Sequence, residues 1–186
     1  PAPNDGVSET TVTLVEDVEV LAFGQNAVPD VRNSTEQGTV TLPLGGKVDM
    51  PSIGKTGEPL VVTGVVRAIT DGQFTVTGPF YNGVRTFMGR TVVLDTGKIQ
   101  FVITERNVEP WDVGVFPSVG IVPENKRYLL LKSRVAYRAA FQDMAKEIIE
   151  CCGVGVTTSD MSVFNFERVK RPVYPLDAMN DWRTGR

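Results

Sequence analysis

No histidine occurs in the 186 residues of this chain, and its only cysteines are the neighbours Cys151 and Cys152. Histidine is the usual acid–base group at neutral pH and the commonest ligand of catalytic zinc. Its absence excludes Ser-His-Asp and Cys-His nucleophile systems from these residues, and with them the ordinary hydrolytic zinc site. An all-carboxylate site for magnesium or calcium stays open, although no EF-hand loop, P-loop or GxGxxG motif accompanies it. Adjacent cysteines rarely meet disulfide geometry with each other. They read as small apolar fillers at a helix-to-strand junction, with redox or metal chemistry as the alternative, and a reducing, cytoplasmic setting suits them.

Long apolar runs are also missing. None approaches the ~20 residues of a membrane span, and the N-terminus lacks the basic start and apolar centre of a signal peptide. Nor is there an excess of one charge: 22 acidic and 19 basic residues, spread along the chain, leave a net −3. Without a basic stripe or interleaved aromatics, nucleic acid is not an expected partner. A hydrophobic content of 41% is nonetheless enough for a real core. The length fits one domain, or one domain with an appendage.

What the chain does have is β pattern. After a turn-rich lead-in, residues 1–8, "TTVTLVEDVEVLAF" alternates around Glu16-Asp17 as a strand pair or one bent strand does, and 24–38 reads as a long loop. From Gly38 to Glu105, six short β-branched runs follow: "GTVTLPLGG", "PLVVTGVVRAI", "QFTVTG", "VRTFMG", "RTVVLDTG" and "KIQFVITE". Asp71-Gly72, Asn82-Gly83 and Thr96-Gly97 supply the positive φ of tight turns between them. An antiparallel meander or barrel-like sheet is expected. Trp111, in the connecting segment that follows, reads as a core plug with Phe116 nearby.

Near residue 128 the character changes. Tyr128–Leu131 is apolar on both faces, as in a strand covered on both sides. Residues 134–149 predict one helix, with Tyr137, Phe141, Met144 and Ile148 on its apolar face. Gly153 ends it, and "VGVTTSD" can return as a strand, completing a βαβ unit. The fold class is therefore α+β, an antiparallel β-rich sheet followed by a βαβ unit with one main helix. The tail, from Phe166 on, has two prolines and many charges and is expected to run irregularly.

Candidate binding residues cluster where strand meets helix. Ser133 can cap the helix, and Lys132 can lay its stem on apolar surface with its amine in water. The sharper reading joins Lys132, Ser133 and Arg138 in a carboxylate site at the carboxyl end of a strand and the amino end of a helix. "LGGKVD" offers a second place: a hairpin end with a solvated Lys47–Asp49 pair, or a backbone anion nest backed by Lys47. No catalytic or metal-ligating residue is assigned.

Several of these stretches, in order, carry a resemblance: "TVTLPLGGKVD", "VTGVVRAITDGQFTVTGP", "GRTVVLDTGKIQFVIT", "FPSVGI", "LLLKSRVAYRAAF" and "RPVYPLD". Together they resemble the C-terminal domain of the microcystinase C (MlrC) family of bacterial metallopeptidases, over roughly residues 38–178. Residues 1–37 stay unplaced and 179–186 form a tail. The resemblance implies a two-part enzyme in which a larger N-terminal domain holds zinc through histidines and carboxylates and hydrolyses peptide bonds. This chain, which opens at Pro1, is then expected to be a piece of a longer protein, with that N-terminal domain as its partner and no cofactor of its own. Family members often carry histidine where this chain has Ala136 or Tyr137, so any role of that histidine is not carried over. Two functions follow: an accessory domain that shapes the substrate cleft, with Lys132-Ser133 facing it, or a stand-alone module binding a small carboxylate or a peptide.

Overall fold

The structure, a computed structural model, describes residues 18–22, 38–133, 135–151, 158 and 160–177. The chain divides into two compact units. The larger holds Val12–Lys47 and Glu58–Ile149, and the smaller holds Pro1–Thr11, Val48–Gly57 and Glu150–Arg186.

All six expected β runs form strands of the larger unit: β2 (Thr39–Leu44), β3 (Leu60–Thr70), β4 (Gln73–Thr75), β5 (Arg85–Phe87), β6 (Thr91–Asp95) and β7 (Ile99–Thr104). β2, β3, β6 and β7 pair in antiparallel fashion, and β4 and β5 form a separate two-stranded hairpin. β1 (Val18–Ala22), from the alternating N-terminal stretch, joins the same sheet parallel to β7 and to β8 (Tyr128–Leu130). The order is β2-β3-β6-β7-β1-β8, so the sheet is mixed and open rather than closed like a barrel.

β6 and β7 lie mid-sheet, and their near-continuous apolar runs serve both faces. Val92, Leu94, Ile99, Phe101 and Ile103 pack with Leu42, Leu44, Val62 and Val66. Val93 and Val102 instead meet Met88, Val115, Phe116, Val119, Ile121 and Phe141. A bulge between Val66 and Ala68 reverses the alternation of β3. Val66 therefore faces the first cluster and Ala68 the second, as one extra residue in a period-2 strand requires. The bulge also lets Arg67 Nε donate to Asp95 Oδ2 at 2.9 Å.

Two expectations change. Tyr128–Leu131 was expected to be covered on both sides, but β8 is an edge strand. Leu129 and Leu131 pack on the second cluster while Tyr128 and Leu130 are exposed. The long helix over 134–149 contracts to α1 (Arg138–Phe141), extended by one further turn through the Ala145 N–H bond to the Phe141 carbonyl. Its apolar face is the one expected, with Tyr137, Phe141 and Met144 packed on the core. Beyond Met144 the chain runs exposed through Lys146, Glu147 and Ile149. With so little apolar surface to bury, a short helix has nothing to offset its nucleation cost. The returning strand of the βαβ unit falls largely on residues 152–157 and 159, outside the described residues.

In the smaller unit, Met50 and Lys55 pair around a 3₁₀ turn at Pro51–Ile53. Asp160 caps the turn Met161–Val163, and Asp177 holds Arg171 and the Val173 amide. The described part of the tail, residues 166–177, is as irregular as its composition suggests.

Two predictions come from the turns. Gly72 and Gly97 both have positive φ, 68° and 88°. A Cβ on Gly97 meets nothing within 4 Å, whereas one on Gly72 falls 2.1 Å from the Gly89 carbonyl oxygen. Gly97→Ala should cost about 1 kcal/mol, and Gly72→Ala more than about 2 kcal/mol, in urea unfolding. Asp95 titrates below the ordinary carboxylate range. Burial opposes its ionisation, but the Gly97 amide, Arg67 and Gln100 outweigh it. A lowered folded-state pKa contributes stability above the unfolded value and loses it as pH falls through the folded one. Asp95→Asn should therefore lower the melting temperature at pH 7, and the gap should close as the pH is lowered through the carboxylate range.

Candidate functional site

β7 and β8 flank β1 as parallel neighbours, so their carboxyl ends lie at one end of the sheet. Glu109 follows β7 by five residues, and Ser133 follows β8 by three. The two side chains meet there: the Ser133 hydroxyl donates to Glu109 Oε1 at 2.5 Å. The Ser133 Oγ in turn accepts the Tyr137 amide at 3.2 Å, as a capping serine does for the turn leading into a helix. A carboxylate of the chain itself thus sits at this corner, 24 residues before the serine it binds.

Lys132 is exposed beside this pair. Arg138, the first residue of α1, places its guanidinium carbon 5.5 Å from the Tyr137 ring centroid. Lys132, Ser133 and Arg138 share one short segment of sequence, in which Ser133 is bonded to Glu109 and the Tyr137 amide while Arg138 turns to the Tyr137 ring. Lys47 and Asp49 lie elsewhere, and in different units. Gly45 and Gly46 both have positive φ, 58° and 53°, unlike the alternating handedness of a backbone anion nest. Gly46 is packed against the Glu58 carbonyl, where a Cβ would come within 2.2 Å of the oxygen. Asp49 accepts the Gly57 amide at 2.8 Å.

Three residues after Glu109 comes Asp112, 1% exposed. Its carboxylate accepts the Gly78 amide at 2.7 Å and the Gly114 amide at 2.8 Å, with the Thr77 amide at the limit of reach, 3.5 Å. A buried charge needs such donors. Glycine is required at 78 because an added Cβ would fall 2.6 Å from Asp112 Oδ2 and 3.3 Å from the Ala140 Cβ. The hairpin tip, α1 and the 109–114 segment therefore converge.

That tip, residues 76–84, presents Phe80 and Tyr81, 52% and 66% exposed. Tyr81 adopts φ 56°, a left-handed conformation that costs a non-glycine residue about 1 kcal/mol. Local bonds hold it: Asn82 Nδ2 donates to the Thr77 carbonyl at 2.8 Å, and Val76 and Val84 are linked across the tip. Trp111 is half-buried rather than a core plug. Its ring lies edge-on to Tyr81 at 5.8 Å, and Tyr81 in turn lies edge-on to Phe80 at 5.8 Å. The sequence reading missed Glu109, Asp112 and Tyr81. "GPFYNG" and "EPWD" hold acid and aromatic residues among turn formers, but only the fold brings them together.

Among the described residues no group of three or more His, Cys, Asp or Glu is placed to hold a metal ion, and no helix is long and apolar enough to cross a membrane. Asp112→Ala would leave two half-buried amides without their acceptor and should cost about 1–3 kcal/mol, read from urea midpoints. Asp112→Asn keeps one carbonyl acceptor and should lose less.

Comparison with known proteins agrees with the resemblance in the sequence. The chain is 28% identical over 137 residues to Microcystinase C of Sphingomonas sp., a match covering 74% of this chain and 25% of that protein. Its fold is similar to the crystal structure of a "putative metallopeptidase" from Mesorhizobium sp. BNC1, with a TM-score of 0.75 at 24% identity. That match takes in 91% of this chain and 33% of the other. The chain thus spans a quarter to a third of the length of these relatives. The MlrC C-terminus family profile matches residues 16–168, and the chain belongs to that family.

Proposed function

We propose that this chain is the accessory C-terminal part of a metallopeptidase of the microcystinase C type. In this reading it shapes one wall of the substrate cleft and stabilises an N-terminal domain that holds zinc and hydrolyses peptides. The observation that carries the proposal is the partial span: a well-matched chain occupies only 25% of Microcystinase C. The residues here do not fit a zinc site, since the sequence has no histidine and the described acidic residues form no ligand cluster. No catalytic step is therefore assigned to them. A cytoplasmic setting belongs to the same proposal and rests on the two adjacent cysteines of the sequence.

The Lys132–Ser133–Arg138 corner takes the role of a substrate-side surface. Glu109 changes the chemistry expected there. The Ser133 proton is already given to a carboxylate, so that hydroxyl is not available to donate to a second one. Such a corner suits a peptide backbone, which offers amide donors to Glu109 and carbonyl acceptors to the Lys132 ammonium. It suits a free carboxylate less well, which weighs against the carboxylate half of the alternative, a stand-alone module for a small carboxylate or a peptide.

The deciding measurement is the size of the native polypeptide in extracts of the source cells, probed with an antibody to this chain. A species several-fold longer than 186 residues is expected. A native species of this length alone would overturn the accessory-domain reading.

A further inference from the structure

The hairpin formed by β4 and β5 exposes four large apolar side chains: Phe80, Tyr81, Val84 and Phe87. Trp111 stands against this group through its edge contact with Tyr81. Exposed apolar residues are ordinary when scattered, but a contiguous aromatic group on one protrusion marks a contact surface.

The display is also built to stay outward. Asp112, itself buried, takes the Gly78 amide at the base of the tip. Asn82 ties the Thr77 carbonyl at 2.8 Å. The Val76 amide donates to the Val84 carbonyl at 2.9 Å, and the Gly83 amide to the Val76 carbonyl at 2.9 Å. Tyr81 is held in a backbone region that a tyrosine left to itself avoids. A loose loop would fold its rings down onto the core, whereas this one fixes them in solvent. Fixing them in advance removes the ordering cost that a mobile contact loop meets on association.

We propose that this aromatic tip, Phe80, Tyr81 and Trp111, is the docking surface for the remaining domain of an MlrC-type polypeptide. The inference rests on the accessory-domain reading and adds the place of contact. The occupant follows from length, since two-thirds or more of each relative lies outside the matched region. It follows also from position, because Gly78, at the base of the tip, approaches Ala140 of α1, in the segment that begins with Ser133. A domain seated on the tip would stand beside the Glu109–Ser133 corner and close a cleft over it. The six-stranded sheet also exposes apolar side chains, among them Leu60 and Val61 of β3 and Tyr128 and Leu130 of the edge strand β8; the β8 edge is the competing place of contact.

Hydroxyl-radical footprinting tests this on two samples: the 186-residue chain, and the native polypeptide immunopurified with the same antibody. Oxidation of Phe80, Tyr81 and Trp111 should be at least about five-fold slower in the native polypeptide, since interface centres are fully desolvated. Tyr174, 78% exposed, serves as the reference that should react alike in both. A longer polypeptide in which the tip reacts as fast as in the isolated chain would overturn the docking surface while leaving the accessory-domain reading intact. Protection confined to Tyr128 and Leu130 would overturn it in favour of the sheet edge. Absence of any longer polypeptide would overturn both.

Discussion

A carboxylate removed from water must be surrounded by donors, and Asp112 meets that requirement with main-chain amides alone. The consequence is structural. The Gly78 amide belongs to the β4–β5 hairpin, and the Gly114 amide to the 3₁₀ turn at Val113–Val115 that carries core residue Val115. One buried side chain thus ties a protruding hairpin to the segment that crosses the sheet, and it does so beside Ala140 of α1. The glycine at 78 follows directly from that tie, and Phe80 and Tyr81 stand on the hairpin that it holds.

The sheet supplies the rigid ground for it. β6 and β7 are buried on both faces, so their register is fixed by two cores at once. β1 and β8 add to β7 in parallel and bring three carboxyl ends together. In sheets containing parallel strands this end is where connections leave and where binding residues gather. Glu109 and Ser133 occupy it from two separate connections, joined by a hydrogen bond, and the Ser133 oxygen also accepts the Tyr137 amide in the turn into α1.

How much of this could be read from the sequence depended on the range of the interactions. The six strands from β2 to β7 were legible because alternation and the Asp-Gly, Asn-Gly and Thr-Gly turns are local signals. Ser133 was legible as a cap for the same reason. β1 was seen as β-forming, but its parallel insertion between β7 and β8 depends on partners about 80 to 110 residues away that no local pattern encodes. The helix over 134–149 was overread because periodicity reports which face is apolar, not whether a core waits beneath its full length. Trp111 was read as a plug because a tryptophan in a loop usually has an interior to fill. Here the interior was already filled by Phe116 and Phe141, 6.0 Å apart and edge-to-face.

Glu109 is the residue that most alters the functional reading. From Lys132, Ser133 and Arg138 alone, the corner is cationic and invites an anion. With Glu109 hydrogen-bonded to Ser133, it carries both charges and holds one hydroxyl fully committed as donor and acceptor. Mixed charge of that kind recognises groups that are themselves both donor and acceptor, and an extended peptide backbone is the commonest of these. In the accessory-domain reading proposed above, this corner would meet the peptide backbone, and the catalytic groups would belong to the other domain. On the same proposal that domain would seat on the aromatic tip, whose base Asp112 fixes through the Gly78 amide.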